Sequence, residues 1–324
     1  MSFLSQFTSP SKLKKRGIMG MNQRNHSYIG RYNDCSRYPL VDNKLKTKIV
    51  AQEYGATVPE LIGVIDSQAT VKTIHNMVKD WPGFVIKPAQ GSGGKGILVI
   101  VKHKDGVYVK PSGAEINKED VERHITNTLA GLFSLGGKND VAMVENLIEF
   151  DNVFDGFSYE GVPDVRVIVF KGYPVMAMMR CSTSASDGKA NLHQGAVGVG
   201  IDIASGKAIR AVQFNKPIER HPDTDRLLSE LEVPNWEKLL TLASSAWEMT
   251  GLGYMGTDMV LDKKLGPMVL ELNARPGLAI QIANGCGLLP RLRHIEMMGT
   301  SFRMPTPEER VAYSAHQFGA KPQF

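Results

Sequence analysis

Residues Trp81 to Ile100, WPGFVIKPAQGSGGKGILVI, carry the densest set of groups able to handle a phosphate. An apolar run, Phe84-Val85-Ile86, leads into Lys87 and stops at Pro88, and a second run extends from Ile97 to Val101. Between them lies Gly91-Ser92-Gly93-Gly94-Lys95-Gly96, flexible enough to lay backbone N–H groups against an anion. Gly91, Gly93 and Gly96 match the dinucleotide spacing G-x-G-x-x-G, but that fingerprint must open a helix. Here a β-branched run follows, which predicts a strand. No Gly-Lys-Ser/Thr follows either, so a P-loop is excluded. Strand, glycine loop, strand is a flap that can cover nucleotide phosphates. A mobile hairpin with a surface lysine is the alternative.

A second constellation is acidic. Gly256-Thr257-Asp258-Met259-Val260-Leu261 and Pro267-Met268-Val269-Leu270-Glu271-Leu272-Asn273 flank the turn Asp262 to Gly266. Folding about that turn sets Asp258 opposite Glu271, within one position. Glu271 and Asn273, two apart on a strand, share a face. Facing carboxylates repel unless a cation lies between them. Hard oxygen donors in this number suit Mg²⁺. A solvated hairpin face fits the hairpin taken alone equally well, and a phosphate-gripping flap upstream favours the metal.

These groups need a scaffold. Asp42 is a candidate N-cap for a helix ending at Gly55, and Lys44, Lys46 and Lys48 crowd its first turns. Cations there oppose the helix dipole, so an anion nearby would account for them. Pro59 to Ile65 reads as a strand and Ser67 to Trp81 as an amphipathic helix. Asn117 and Asp120 predict the start of a helix running to about Leu135, and Val141 to Ile148 a buried strand. In Asp164 to Phe170 the alternation puts Asp164 and Arg166 on one face and the valines on the other. Gly172-Tyr173-Pro174 is expected to turn the chain into Val175 to Arg180. Asn235 is expected to cap a helix through Met249, stopped by Gly251.

The 324 residues can bury a full core with two or three subdomains, and 42% hydrophobic with 22% charged residues is ordinary for a globular protein. No stretch approaches a membrane span and no secretory signal is evident. Cys35, Cys181 and Cys286 are scattered, as reduced cytosolic thiols would be. Residues 1–50 hold ten Lys/Arg against two Asp, whereas the whole chain is +5. Such an arm can meet nucleic acid, an anionic membrane surface or an acidic substrate, or be solvated charge. No nucleic-acid motif supports the first. The phrase from Gly20 to Ile29 has too many hydrogen-bonding side chains for a simple core segment.

Five motifs in this order resemble the ATP-grasp superfamily of carboxylate–amine ligases. They are Asp42-Asn43-Lys44, Phe84 to Pro88, the flap, Val144-Glu145-Asn146-Leu147-Ile148 and Glu271-Leu272-Asn273-Ala274-Arg275-Pro276-Gly277. Arg180, Asn191 to Gly195 and Asp164-Val165-Arg166 resemble the RimK-type alpha-L-glutamate ligases. The phrase around Arg24-Asn25 and the short N-terminal segment are similar to ATP-grasp proteins associated with sugar-transfer genes.

The resemblance implies an α+β ATP-grasp fold, two α/β subdomains clamping ATP. It divides the chain into a basic arm, 1–43, a small flap-bearing subdomain, 44–148, a large subdomain with the metal site, 149–300, and a tail, 301–324. By position, Lys44 and Lys87 hold the nucleotide phosphates, with Gly93, Gly94 and Lys95 in the flap. Glu145 and Ile148 meet the adenine edge and Asp164 the ribose. Arg166, Arg180 and Asn191 lie near the γ-phosphate and the acyl phosphate, and Asp258, Glu271 and Asn273 bind Mg²⁺, with Mn²⁺ as a substitute. The implied activity is ATP-dependent ligation of an amino acid, glutamate or similar, to a small amine or peptide acceptor in the cytoplasm. No nucleic acid or stable membrane insertion is expected, and a homodimer is left open. A small-molecule kinase and a non-catalytic nucleotide binder are the alternatives. The RimK branch has a separate domain before this core. Only about forty residues precede Asp42 here, so the arm at Arg24 is expected to help bind substrate.

Overall fold

The computed structural model describes residues 8–91, 93–299 and 303–320. The chain divides into two compact units, Pro39–Glu149 and Met1–Tyr38 with Phe150–Phe324.

In the first unit, β1 (Leu61–Ile65), β2 (Phe84–Pro88), β3 (Leu98–Ile100) and β7 (Ala142–Asn146) form an antiparallel sheet in the order β1-β7-β2-β3. The short strands β4 (Lys102–Lys104), β5 (Val107–Val109) and β6 (Glu115–Ile116) make a separate three-stranded sheet. Phe84, Ile86, Ile100 and Val144 pack with Ile74, Val78, Val121 and Ile125 in one apolar core. Asn117 and Asp120 close a capping box on the helix Lys118–Leu129, which stops short of the expected Leu135. Two expectations need correction. Asn43, not Asp42, caps the helix Lys44–Glu53, its side chain accepting from the amides of Leu45 and Lys46. The span 67–81 is not one helix but a 3-10 stretch, Gln68–Thr73, followed by the short helix Ile74–Met77. There the Thr70 and Thr73 hydroxyls bond carbonyls three residues back and hold the tighter turn.

The second unit is built on seven strands. They are β8 (Asp164–Phe170), β9 (Tyr173–Cys181), β10 (Val197–Ile201), β11 (Ala208–Gln213), β12 (Lys216–Ile218), β13 (Tyr254–Asp262) and β14 (Gly266–Asn273). Their order is β12-β11-β10-β9-β8-β13-β14, every neighbour antiparallel. The β8–β9 turn is Lys171-Gly172, both left-handed at φ 48° and 80°, so the strand already resumes at Tyr173. Pro174 is tolerated because it falls beside a register shift.

Directly paired residues point to the same side of a sheet. The buried Val165, Val167, Met179, Ala177 and Thr257 therefore share one face. The helices Trp236–Thr250 and Pro307–Phe318 accompany this sheet, and the Thr250 hydroxyl lies 3.9 Å from the Met255 sulfur on that face. Asn235 precedes the first of these in a left-handed conformation without capping it, and Gly251 ends it at φ 67°.

Residues 21–32, rich in hydrogen-bonding side chains, are helical with a π-helical centre, Arg24–Ile29. Only Tyr28 and Ile29 of that centre are buried, too few to leave a pattern. Tyr28 and Tyr32 pack edge-on against Phe170, at 5.6 and 4.9 Å between ring centroids, and Tyr28 lies 6.0 Å from Tyr254. Asn33 then exchanges hydrogen bonds with the Tyr254 backbone and donates to the Ala274 carbonyl. No helix among the described residues is long and apolar enough to cross a membrane.

Candidate active site

The chemistry-bearing groups of the first unit gather around β2 and β7. Lys87 on β2 and Lys48, one helical turn after Lys44, both reach the buried carboxylate of Glu145 on β7, at 2.5 and 2.7 Å. Lys48 also donates to the Pro59 carbonyl. The counter-charge that Lys87 requires inside an apolar run is thus supplied by Glu145. Burial works against ionisation of Glu145, but the two ammonium groups outweigh it and hold its pKa below the ordinary value. Burial also pulls Lys48 down, partly offset by Glu145. Two ammonium groups on one carboxylate leave an excess positive charge in a dry setting, which a phosphate would offset.

Lys44 donates to the Gly91 carbonyl at 2.6 Å, at the root of the flap. The flap base is pinned on both sides. Asp140 accepts from the Gln90 amide and the Ser134 hydroxyl, and His124 donates from Nε2 to the Gly96 carbonyl at 2.9 Å. A Cβ on Gly96 would come 2.4 Å from the Phe133 ring, whereas Gly93 and Gly94 at the tip face open space. All three have positive φ, so the tip needs glycine for its backbone and the base needs it for its packing as well. Lys95 is exposed beside them, and Ile148 is half-buried in irregular chain after β7.

In the second unit, six expected residues share one face of the sheet. Arg166 pairs with Asp258 and Asp164 with Arg180, while Asp258 pairs with Glu271 and Gly256 with Asn273. Arg166 grips Asp258 with parallel bonds of 2.7 Å from Nε and 2.6 Å from Nη2. Arg180 grips Asp164 and also reaches Asp258 Oδ2 at 2.8 Å. Burial opposes the charge on Asp258, but the two guanidinium groups dominate and hold its pKa far below the carboxylate range. At Asp164 burial dominates over Arg180 and pushes the pKa up. Arg180 stays charged because its two aspartates outweigh burial. Asn191 caps a short 3-10 turn, and the Leu192 side chain lies 2.6 Å from where a Gly198 Cβ would stand. Gly198 pairs with Arg180, so this loop lies over the same face.

Oxygen donors of the kind a hard divalent cation takes lie together on this face, although both carboxylate oxygens of Asp258 accept from guanidinium groups. Asp258 and Glu271 are direct cross-strand neighbours and Asn273 adds a carboxamide oxygen on the same side, which here accepts from the Arg275 amide at 2.8 Å. Among the described residues no group of three or more His, Cys, Asp or Glu is placed to hold a metal ion, and the third oxygen of this set comes from the Asn273 carboxamide. Such a sparse set suits Mg²⁺, which keeps waters and phosphates as its remaining ligands. Asp258 would have to exchange a guanidinium contact to join it.

Sequence reasoning missed Lys48 as a buried ligand of Glu145, and missed Asp140 and His124 as supports of the flap. The i, i+4 spacing of Lys44 and Lys48 was the available signal for the first. Nothing local marks the other two as flap supports, since the flap partners Gln90 and Gly96 lie 50 and 28 residues away.

Similar solved structures include the ATP-grasp ligase PsnB complexed with minimal precursor, 14% identical, covering 83% of this chain and 64% of that one, TM-score 0.45. D-alanyl-alanine synthetase A from Vibrio cholerae O1 biovar eltor is 11% identical, with 88% and 67% covered and a TM-score of 0.46. D-cycloserine synthetase DcsG is 14% identical, with 81% and 70% covered and a TM-score of 0.44. The chain thus spans less than two thirds of PsnB. No curated protein matches it. The family model described as sugar-transfer associated ATP-grasp matches residues 23–297, a span holding the π-helical segment, the flap and the acidic hairpin. The chain belongs to the sugar-transfer-associated ATP-grasp family.

Proposed function

We propose that the protein is an ATP- and Mg²⁺-dependent carboxylate–amine ligase that works through an acyl phosphate. The observation that supports this best is the shared face of Asp164, Arg166, Arg180, Asp258, Glu271 and Asn273. It offers guanidinium groups and metal-type oxygens but no activated Ser, Cys or His. That is what phosphoryl transfer needs, since charge must be neutralised rather than a covalent bond made to the protein. A substrate carboxylate oxygen would attack the γ-phosphorus and ADP would leave. An amine would then attack the acyl carbon, lose a proton and expel phosphate, leaving an amide. Arg166 and Arg180 would orient the phosphoryl oxygens. Lys44, Lys87 and the flap residues Gly93, Gly94 and Lys95 would hold the nucleotide phosphates, Glu145 and Ile148 would border the base, and Asp164 the ribose. Asn191 would lie near the acyl phosphate. Mg²⁺ held by Asp258, Glu271 and Asn273 would neutralise charge on the phosphates.

The substrates we propose are a small amino acid such as glutamate and an amine or peptide acceptor, in the cytoplasm. The test is ADP and phosphate release across amino acids, amines and peptides, with hydroxylamine added to trap the acyl phosphate as a hydroxamate. Equal ADP and phosphate with a hydroxamate supports ligation. ADP with a phosphorylated acceptor and no free phosphate would show a kinase instead, and no stimulated release would leave a nucleotide binder.

A further inference from the structure

The helical stretch that carries Arg24, Tyr28 and Tyr32 is not an appendage of the second unit; it packs on the face that carries the candidate chemistry. Tyr254, Gly256 and Asp258 alternate along β13, so all three point to one side. Tyr254 pairs with Phe170, and both rings are covered by Tyr28, with Tyr32 also on Phe170. A Cβ on Gly256 would stand 2.8 Å from Pro276, so Pro276 covers this face two residues from Asp258, about 7 Å along the strand. The Pro276 carbonyl in turn accepts from Arg24 Nη1 at 3.0 Å. Arg24 therefore occupies the Asp258 side of the aromatic cluster, beside the segment that follows Asn273.

Its guanidinium is already oriented. Nε and Nη2 both donate to the Asn25 side-chain oxygen, at 3.0 and 2.8 Å. With Nη1 on Pro276, three of its five N–H groups are used among the described residues, and one remains on each terminal nitrogen. Such a pair can take both oxygens of a carboxylate. Arg24 also opens the π-helical stretch, an arrangement that recurs at functional sites because it re-aims side chains. On the same face the fully buried Tyr254 hydroxyl has no hydrogen-bond partner among the described residues, a donor that lacks an acceptor.

We propose that Arg24 is the anchor for a second, non-reacting carboxylate of the substrate, so that the enzyme selects acids carrying two anionic groups. This rests on the ligase reading for the reacting carboxylate alone; the anchor itself is a binding claim. Arg24 holds one end of the molecule while the other meets Arg166 and Arg180.

The test uses the full chain, Arg24→Ala and Arg24→Lys, each checked for an unchanged melting profile. ADP release is measured with the twenty amino acids, dicarboxylic acids from malonate to adipate, and the mono-amide of each dicarboxylic acid. In the wild type the best diacid should exceed its mono-amide at least tenfold in kcat/KM. Arg24→Ala should erase that preference by raising KM for the diacid at least tenfold, with KM for ATP unchanged, and Arg24→Lys should restore part of it. An acid-to-amide ratio unaltered in Arg24→Ala overturns the proposal. If no compound stimulates release, the ligase reading fails, and calorimetry with glutarate decides the anchor separately. Binding to the wild type weakened at least tenfold in Arg24→Ala supports it; equal or absent binding in both overturns it. If Arg24→Ala does not fold, Arg24→Lys carries the same comparisons, with a partial loss expected and full retention counting against the anchor.

Discussion

The guanidinium of Arg180 stands 2.8 Å from the carboxylate of Asp258 while it also holds Asp164, so one cation on β9 ties together carboxylates from β8 and β13. Arg166 completes the set from the strand between. All four groups are largely buried, so charge balance here rests on the arginines. Removing one partner of a buried pair costs about 3–5 kcal/mol, because the other charge is left desolvated. Arg180→Ala strands Asp164 and weakens the hold on Asp258, whereas Arg166→Ala leaves Asp258 with Arg180. Arg180→Ala should therefore lower stability in urea unfolding by the larger amount. Adding Asp164→Asn should recover about 1–2 kcal/mol of it, a coupling that a double-mutant cycle reads directly.

Glu271 lies directly across from Asp258, and glutamine in its place keeps the shape of the side chain while removing the charge. Glu271→Gln should leave the melting temperature within a few degrees of the wild type and abolish about 99% or more of ATP turnover. Mn²⁺ bound in the presence of ADP, followed by electron paramagnetic resonance, should be lost in parallel. Retained Mn²⁺ binding would remove the hairpin from the metal site.

Lys87 has two duties to separate. It shares Glu145 with Lys48, and we propose that it also meets the nucleotide. Lys87→Ala leaves Glu145 with one ammonium group, so the first unit should lose about 1–3 kcal/mol. Independently, ATP affinity measured by calorimetry should fall by about tenfold or more, as expected for loss of a charge-assisted contact. A stability loss with unchanged ATP affinity would assign Lys87 to structure alone.

How much of this was legible follows from the range of each contact. Counting outward from the Asp262–Gly266 turn sets Asp258 opposite Glu271 to within one position, and a register shift between Asp258 and Met259, which the sequence does not announce, brings Glu271 to that place. The sharing of a face by Asp164 and Arg166 came from period-two alternation within one strand. The pairing of Arg166 and Arg180 with Asp258 was out of reach, because β8, β9 and β13 become neighbours only through the order of the sheet. The N-terminal helix was missed for another reason. Its buried side rests on Tyr28, Ile29 and the later Asn33, while Arg24 to Ser27 are polar, and a π-helical turn shifts whatever helical period remains.

His124 Nε2 donates to the Gly96 carbonyl, and the ring stacks on Phe133 with centroids 5.3 Å apart. Burial lowers its pKa first, the bond to Gly96 partly offsets this, and Lys110 lowers it further. A histidine whose folded pKa lies below the unfolded value near 6.5 takes up fewer protons when folded. In the window between the two values the unfolded or opened state binds the extra proton. Stability at this site is therefore full above that window and falls as pH drops through it. Acidification from pH 7.5 to 5.5 should loosen the flap base before Glu145, whose depressed pKa places its own loss at lower pH. Amide hydrogen exchange across residues 94–98, corrected for intrinsic rates, should show opening that grows severalfold over that range. His124→Gln keeps a neutral donor for Gly96 and carries no titrating proton, so its exchange should be flat with pH. If the variant and the wild type respond alike, the flap is not held through His124.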